Sequence, residues 1–258
     1  MAEAQLTLSE LDSKRFGIVV AWTKNIDAKQ LQEAMHWCRQ HDVRLLIARC
    51  PATDWQTVHA LEKASFALMD TLVYYKRSVP GAAPQPCGTG VTIRQAKNTD
   101  AEPVAEVARL AFRGYQSHYH NDPLLPKQDC DEVYVDWARR SVRDKTVADV
   151  VLVAEVGERI IGFLSLRGAC GKVADIPLNA VDPSYQRQGI YRTLLASAIE
   201  WCSENGFENC SVSTQLPNNA AQKVWVRMGF EPSHALYTFH RWFDCEGLDS
   251  AGHCGPAG

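Results

Sequence analysis

Between Val79 and Gly90 the chain reads Val-Pro-Gly-Ala-Ala-Pro-Gln-Pro-Cys-Gly-Thr-Gly, with three prolines and three glycines in twelve residues. Proline removes an amide donor and fixes φ, and glycine carries the largest backbone entropy cost. The stretch therefore holds neither a helix nor a central strand. It reads as a linker over 79–90, separating a small unit at 1–78 from a larger one at 91–243, with a flexible small-residue tail at 244–258. A length of 258 residues is enough for a hydrophobic core on each side.

Both units alternate strand and helix. Before the linker, Phe16–Trp22 is β-branched and aromatic and predicts a strand. Asp27 is placed to cap a helix running to Gln40, with Leu31, Ala34, Met35 and Cys38 on one face. Val43–Ala48 reads as a strand, Thr53 or Asp54 opens a second helix, and Phe66–Lys76 reads as a further strand. After the linker come a strand at Val91–Arg94, a helix from Asp100 to Phe112 and a polar, aromatic-rich loop. A helix at Asp131–Arg143 follows, then strands Val150–Val156 and Ile160–Arg167 turning at Gly157-Glu158. Strand Val173–Val181, helix Ile190–Glu204, strand Ser211–Thr214, helix Asn219–Met228 and strand Ala235–Trp242 complete the pattern. Fold class is α/β.

The two units share a spacing. Shifted by 164 positions, Trp37-Cys38 falls on Trp201-Cys202, Asp54 on Asn218, Phe66 on Phe230 and Leu72 on Leu236. Either the first unit is a degenerate copy of the second half of the larger one, or two αβ units share spacing by chance. In both cases the segment matching the loop before Ile190 is Trp22–Asp27, which holds no glycine, so no cofactor is expected there.

Composition excludes some classes of function. With 46% hydrophobic and 22% charged residues the chain reads as globular, and a net charge of −3 gives no reason to expect nucleic acid or anionic membrane as a partner. Residues 1–25 lack the features of a signal peptide, and no apolar run approaches the ~18 residues of a membrane span, which predicts a cytoplasmic protein. Nine cysteines without a CxxC pair argue against a metal site or a disulfide framework.

The chemistry sits in Ala180-Val-Asp-Pro-Ser-Tyr-Gln-Arg-Gln-Gly-Ile-Tyr-Arg-Thr-Leu-Leu195, where a strand ends and a loop containing Gly189 runs straight into an amphipathic helix. A helix start exposes unpaired N–H groups and the positive end of the helix dipole, which suits a pyrophosphate. Gln186-Arg187-Gln188-Gly189-Ile190-Tyr191 resembles the Q/R-x-x-G-x-G/A signature of the GNAT N-acetyltransferases. Asn218-Asn-Ala-Ala-Gln-Lys-Val-Trp-Val-Arg-Met-Gly-Phe230 looks like that family's later N-x-x-A-x-x-x-Y-x-x-x-G-F motif. The resemblance implies a GNAT fold, with a mixed sheet splayed between its fourth and fifth strands, preceded here by a small α/β domain. It implies acetyl-CoA as co-substrate and no metal. Backbone groups of Asn179, Ala180 and Val181 would take the pantetheine, the amides of Gln186, Arg187, Gln188, Gly189, Ile190, Tyr191 and Arg192 the pyrophosphate, and Asn218 would touch the cofactor.

A narrower resemblance covers more of the chain. Leu11-Asp-Ser-Lys-Arg-Phe-Gly17, Ser117-His-Tyr-His-Asn-Asp-Pro123 and Tyr134-Val-Asp-Trp137 are similar to segments of the TDP-fucosamine acetyltransferases and their relatives. These are two-domain enzymes that acetylate the amine of a nucleotide-linked amino sugar.

Two positions depart from the family pattern. Tyr191 stands where Gly or Ala is usual, and Trp225 stands where the family carries the tyrosine that protonates the leaving thiolate. An indole N–H donates a hydrogen bond but is not an acid near neutrality. A thiol with a pKa near ~8.5 leaves tolerably without one. For the base, Asp175 is a candidate beside the splay, the alternative being a solvated strand residue. His118 and His120 are alternative bases in the loop that the resemblance places over the acceptor, with Tyr119 and Asp122 as substrate contacts, the alternative being an exposed polar loop.

The expected activity is therefore acetyl transfer from acetyl-CoA to a primary amine of a small molecule, with a nucleotide-linked amino sugar first. Acetylation of a peptide or protein amine and a non-catalytic acyl-CoA-binding module are the competing readings. Oligomeric state is left open, a homodimer included.

Overall fold

The computed structural model describes residues 6–79, 90–168 and 172–243. The expected linker from Pro80 to Thr89 and the tail from Asp244 lie outside the described residues. The chain forms two compact units. Of the described residues, one takes those up to Cys50, Asp54–Leu68 and those from Phe239, and the other takes Pro51–Thr53 and those between Met69 and Thr238.

In the smaller unit, β1 (Leu6–Leu8) leads into α1 (Glu10–Phe16), β2 (Val20–Thr23), α2 (Leu31–Gln40), β3 (Leu45–Pro51) and α3 (Trp55–Lys63). β2 pairs antiparallel with β1 and parallel with β3. Phe16 is helical, not strand, because Ser9 caps α1 and Gly17 ends it at a φ of 66°, which delays the strand to Val20. Asp27 does not cap α2. Its carboxylate accepts the Lys29 and Gln30 N–H groups at 2.8 and 2.9 Å in a turn of its own, and the helix begins at Leu31. Asp54 does cap α3, accepting the Thr57 N–H at 3.1 Å.

The larger unit holds β4 (Ala67–Ser78) from Met69 onward, then β5 (Thr92–Gln95), α4 (Ala101–Ala111), α5 (His118–Asn121) and α6 (Lys127–Arg143). Next come β6 (Val150–Val156), β7 (Arg159–Gly168), β8 (Val173–Ile176), β9 (Asn179–Val181), α7 (Ile190–Glu204), β10 (Asn209–Gln215), α8 (Asn219–Arg227) and β11 (Glu231–Trp242). The strands lie in the order β11-β4-β10-β8-β7-β6-β5, with β9 against β7. β8 runs parallel to β10 and β4 antiparallel to it, so the sheet is mixed.

Helices cover both faces of this sheet. The continuous apolar run of β6 shows why: Val150, Leu152 and Ala154 pack with Leu194, Ile199 and Trp225 of α7 and α8, whereas Val151 and Val153 pack with Val104, Ala108 and Tyr134 of α4 and α6. A strand buried on both faces has no polar side to show. No helix among the described residues is long and apolar enough to cross a membrane.

The shift of 164 positions seen in the sequence reappears in the elements. It lays β3 on β10, α3 on α8 and β4 on β11, with the same first and last residue in each case. It also lays Asn25, with a φ of 56°, on Gly189, with a φ of 82°.

Candidate active site

The strand expected from Val173 to Val181 breaks in the middle. Pro177 offers no N–H to a ladder, and β8 and β9 part there. β8 pairs with β10 from Val173↔Asn209 to Ile176↔Val212, whereas β9 pairs with β7. Buried Ser165 of β7 pins the break. Its hydroxyl donates to the Leu178 carbonyl at 2.9 Å, and its backbone N–H reaches the same carbonyl at 2.8 Å. From Ser213 to Gln215, β10 keeps β4 on one edge and, among the described residues, has no paired strand on the other. This is the expected splay.

Below β9 the chain turns on Asp182, which is 1% exposed. One carboxylate oxygen accepts the Ser184 N–H at 2.9 Å and the other meets Arg159 at 2.8 Å. The Gln186 side-chain amide donates back to the Val181 carbonyl at 3.2 Å. Arg187 and Gly189 then adopt left-handed backbone, with φ of 63° and 82°. Such residues curl successive N–H groups toward one side, and only Gly189 does so without a Cβ penalty.

The first intrahelical bond of α7 runs from the Thr193 N–H to the Gly189 carbonyl at 3.0 Å. The amides of Ile190, Tyr191 and Arg192 therefore have no intrahelical acceptor. This concave row of donors at the positive end of a fifteen-residue helix fits a diphosphate. Asp182 holds the loop in shape. Asp182→Ala is expected to cost ~2 kcal/mol of stability and to weaken acetyl-CoA binding with it, read by thermal melting and titration.

The two departures from the family motif touch each other. The Trp225 indole N–H donates to the Tyr191 hydroxyl at 2.7 Å. Trp225 is 1% exposed and packs on the Tyr75 ring, 5.4 Å away between centroids. The Tyr191 hydroxyl lies inward, and its burial pushes its pKa above the ordinary phenol range. Accepting from the indole leaves its own O–H able to donate.

The end of β10 gathers a second polar group. Asn218 caps α8, accepting the Ala221 N–H at 3.3 Å while its amide donates to Thr214 Oγ1 at 2.9 Å. The Tyr115 hydroxyl lies 3.3 Å from Thr214 Oγ1 and donates to Gln215 Oε1. Burial above all raises the pKa of Tyr115. Asp70 of β4 closes the group, its Oδ2 accepting the His118 backbone N–H at 3.0 Å and lying 3.5 Å from the Gln215 side-chain amide.

The remaining sequence candidates fall around these two groups. The expected loop contains the short helix α5. His118, Tyr119 and Asp122 are buried, and Asp122 accepts the Leu124 N–H at 2.9 Å. Both ring nitrogens of His120 are engaged, with Ser117 Oγ at 2.9 Å and Asp131 Oδ1 at 3.0 Å. Asp175 is half-buried on β8 and stands opposite Ser211 and Arg167. Its burial raises its pKa, against a hydrogen bond from Ser211 and the charge of Arg167, which lower it. Its register partner on β10 lies four residues before Gln215, roughly 13 Å along a strand. Asp175 and the Asp70–Tyr115 group are thus separate places in the site.

Sequence reading missed Asp70 and Tyr115. Asp70 lies 145 residues from the glutamine that it meets, and Tyr115 lies 100 residues from the same glutamine. No local pattern announces either.

The left-handed glycine at a helix start, the splayed strand and the following Asn-capped helix are together the apparatus of an acyl-CoA-dependent N-acetyltransferase. Residues 105–230 match the model of the acetyltransferase (GNAT) family, and the chain carries a GNAT acetyltransferase domain. Among proteins it is similar to, the spore coat polysaccharide biosynthesis protein SpsD of Bacillus subtilis is 27% identical over 216 residues, spanning 83% of this chain and 72% of the relative. The dTDP-fucosamine acetyltransferase of an Escherichia coli O6:H1 strain is 24% identical over 194 residues, spanning 75% of this chain and 80% of the relative.

Solved structures show the same fold. A GCN5-related N-acetyltransferase from Sphaerobacter thermophilus has a TM-score of 0.65 at 14% identity, covering 92% of this chain and 76% of its own. A tandem GNAT protein from the clavulanic acid biosynthesis pathway has a TM-score of 0.61 at 14% identity, covering 86% and 75%.

Proposed function

We propose that the enzyme acetylates the primary amine of a nucleotide-linked amino sugar. The observation that carries this reading is the reach of the sequence likeness. The family model spans residues 105–230, but the likeness to SpsD and to dTDP-fucosamine acetyltransferase extends over 83% and 75% of the chain. The buried Ser117–Tyr119 segment supports it too, since a covered acceptor region suits a small molecule better than a protein chain.

In this reading the amides at the start of α7 hold the pyrophosphate of acetyl-CoA and the backbone of Asn179–Val181 lines the pantetheine. Asn218 orders the start of α8 beside them. The neutral amine attacks the thioester carbonyl, a C–N bond forms, the C–S bond breaks and the amine loses a proton. The departing sulfur takes up a proton or leaves as thiolate, and the Tyr191 hydroxyl is the candidate hydrogen-bond donor to it. Asp175, His118 and His120 are the candidates to receive the amine's proton. The smaller unit, in the same reading, is a degenerate copy of the β10–α8–β11 half. Its matching helix begins only at Leu31, five residues later than α7 would require, so it lacks the phosphate-binding turn.

The test is CoA release, followed with a thiol reagent, from acetyl-CoA and a panel of dTDP- and UDP-linked amino sugars, peptide amines and simple amines. Release driven by an amino sugar is the expected result. Release with peptide amines alone would make the enzyme a protein acetyltransferase, and tight binding without release from any amine would make it an acyl-CoA-binding module.

A further inference from the structure

We propose that Asp70, on β4, is the anion that binds the acceptor's primary ammonium group. The inference rests on the acetyl-transfer reading above and names the part of the site that selects an amine.

Asp70 is 9% exposed, and its Oδ1 is buried without a hydrogen-bond partner among the described residues. Its other oxygen holds the His118 N–H at 3.0 Å and lies at the limit of reach, 3.5 Å, from the Gln215 amide. No lysine, arginine or histidine among the described residues forms an ion pair with it. A buried carboxylate with one oxygen unmatched is costly to keep unless a cation comes to it.

Its position says which cation. Asp70 lies two residues before Leu72, which pairs with Gln215, and so stands at the end of β10 where the sheet has opened. Gln215 and Tyr115 next to it belong to the group that borders the splay. His118, whose N–H it fixes, belongs to the acceptor loop, and Asn121 ties that loop again to the Met69 carbonyl at 2.7 Å. One carboxylate thus anchors the loop with one oxygen and keeps the other buried and unmatched beside the residues at the end of β10. A primary ammonium carries three donors and a full charge, and would satisfy that oxygen. A hydroxyl at the same sugar position supplies no charge.

The test compares wild type and Asp70→Asn, which keeps an acceptor for the His118 N–H and removes the charge. Binding is measured by titration calorimetry with dTDP-linked amino sugars and with the matching sugars bearing a hydroxyl in place of the amine. Wild type is expected to prefer an amine form by at least ~30-fold, and Asp70→Asn to lose that preference with acetyl-CoA affinity unchanged within twofold. The melting temperature of the variant should equal or exceed that of wild type, since an unmatched buried charge has been removed.

A variant that keeps the preference overturns the proposal, and so does one that melts well below wild type and loses both ligands together. Acceptor-dependent CoA release with an unchanged Asp70→Asn profile removes Asp70 and leaves acetyl transfer standing. Absence of any amine preference in wild type, with no CoA release from any acceptor, brings down both.

Discussion

Gly189→Val is expected to weaken acetyl-CoA binding by about 100-fold while leaving the protein folded. Gly189 has a φ of 82° at the position that caps α7. A β-branched residue there pays about 1–2 kcal/mol for left-handed backbone and relieves it by rotating the loop, which turns the free amides of Ile190 to Arg192 away from a common centre. Hydrogen bonds from amides to a charged oxygen are worth about 1.5–3 kcal/mol each, so losing one of them plus the strain gives ~3 kcal/mol, or about 100-fold. Titration of the folded variant with acetyl-CoA checks this, and an affinity within threefold of wild type would remove the loop from the binding site. Gly189→Asn should cost much less, because asparagine tolerates left-handed backbone, as Asn25 does at the corresponding place in the smaller unit.

Trp225→Ala should destabilise the larger unit by about 3–5 kcal/mol, the range for truncating a fully buried large aromatic. The indole fills the space between α8 and Tyr75, and its N–H is the donor recorded for the Tyr191 hydroxyl. Removing it leaves both a cavity and a buried oxygen short of a partner. Trp225→Phe isolates the second effect: most of the packing stays, only the hydrogen bond goes, and the loss should fall to about 1 kcal/mol. Urea denaturation of the two variants separates these terms. A loss below about 1.5 kcal/mol for the alanine variant would contradict the packing described here. In the same pair, turnover by Trp225→Phe should stay within about tenfold of wild type, since an indole was never the source of a proton.

How much of this was legible beforehand depends on the range over which each feature is decided. The glycine loop before α7 and the starts of α7 and α8 are settled within a few residues by caps, backbone freedom and hydrophobic period. Both helices begin where the sequence placed them, at Ile190 and Asn219. The pattern failed where two local signals competed, as at Phe16, which the Ser9 and Gly17 caps drew into a helix, and at Asp27, which spent its carboxylate on a turn. Pro177 was visible in the sequence, yet only its pairing consequences, β8 to β10 and β9 to β7, turn one expected strand into the edge of an opening.

The sequence by itself determined the class of chemistry, because a phosphate loop is a local object and its glycine, its strand and its helix are neighbours in the chain. It also held the shared spacing of 164 residues, which the element boundaries follow, since such a spacing is carried by the order of elements and needs no contact between them. The partners in the polar group at the end of β10 were decided by tertiary structure alone. Asp70 reaches Gln215 because β4, which precedes the linker, lies beside β10, which ends near residue 215, and Tyr115 reaches the same glutamine from the loop after α4. Strand pairing over such separations is set by which hydrophobic faces bury each other, a property of the whole sheet that no short window of sequence contains.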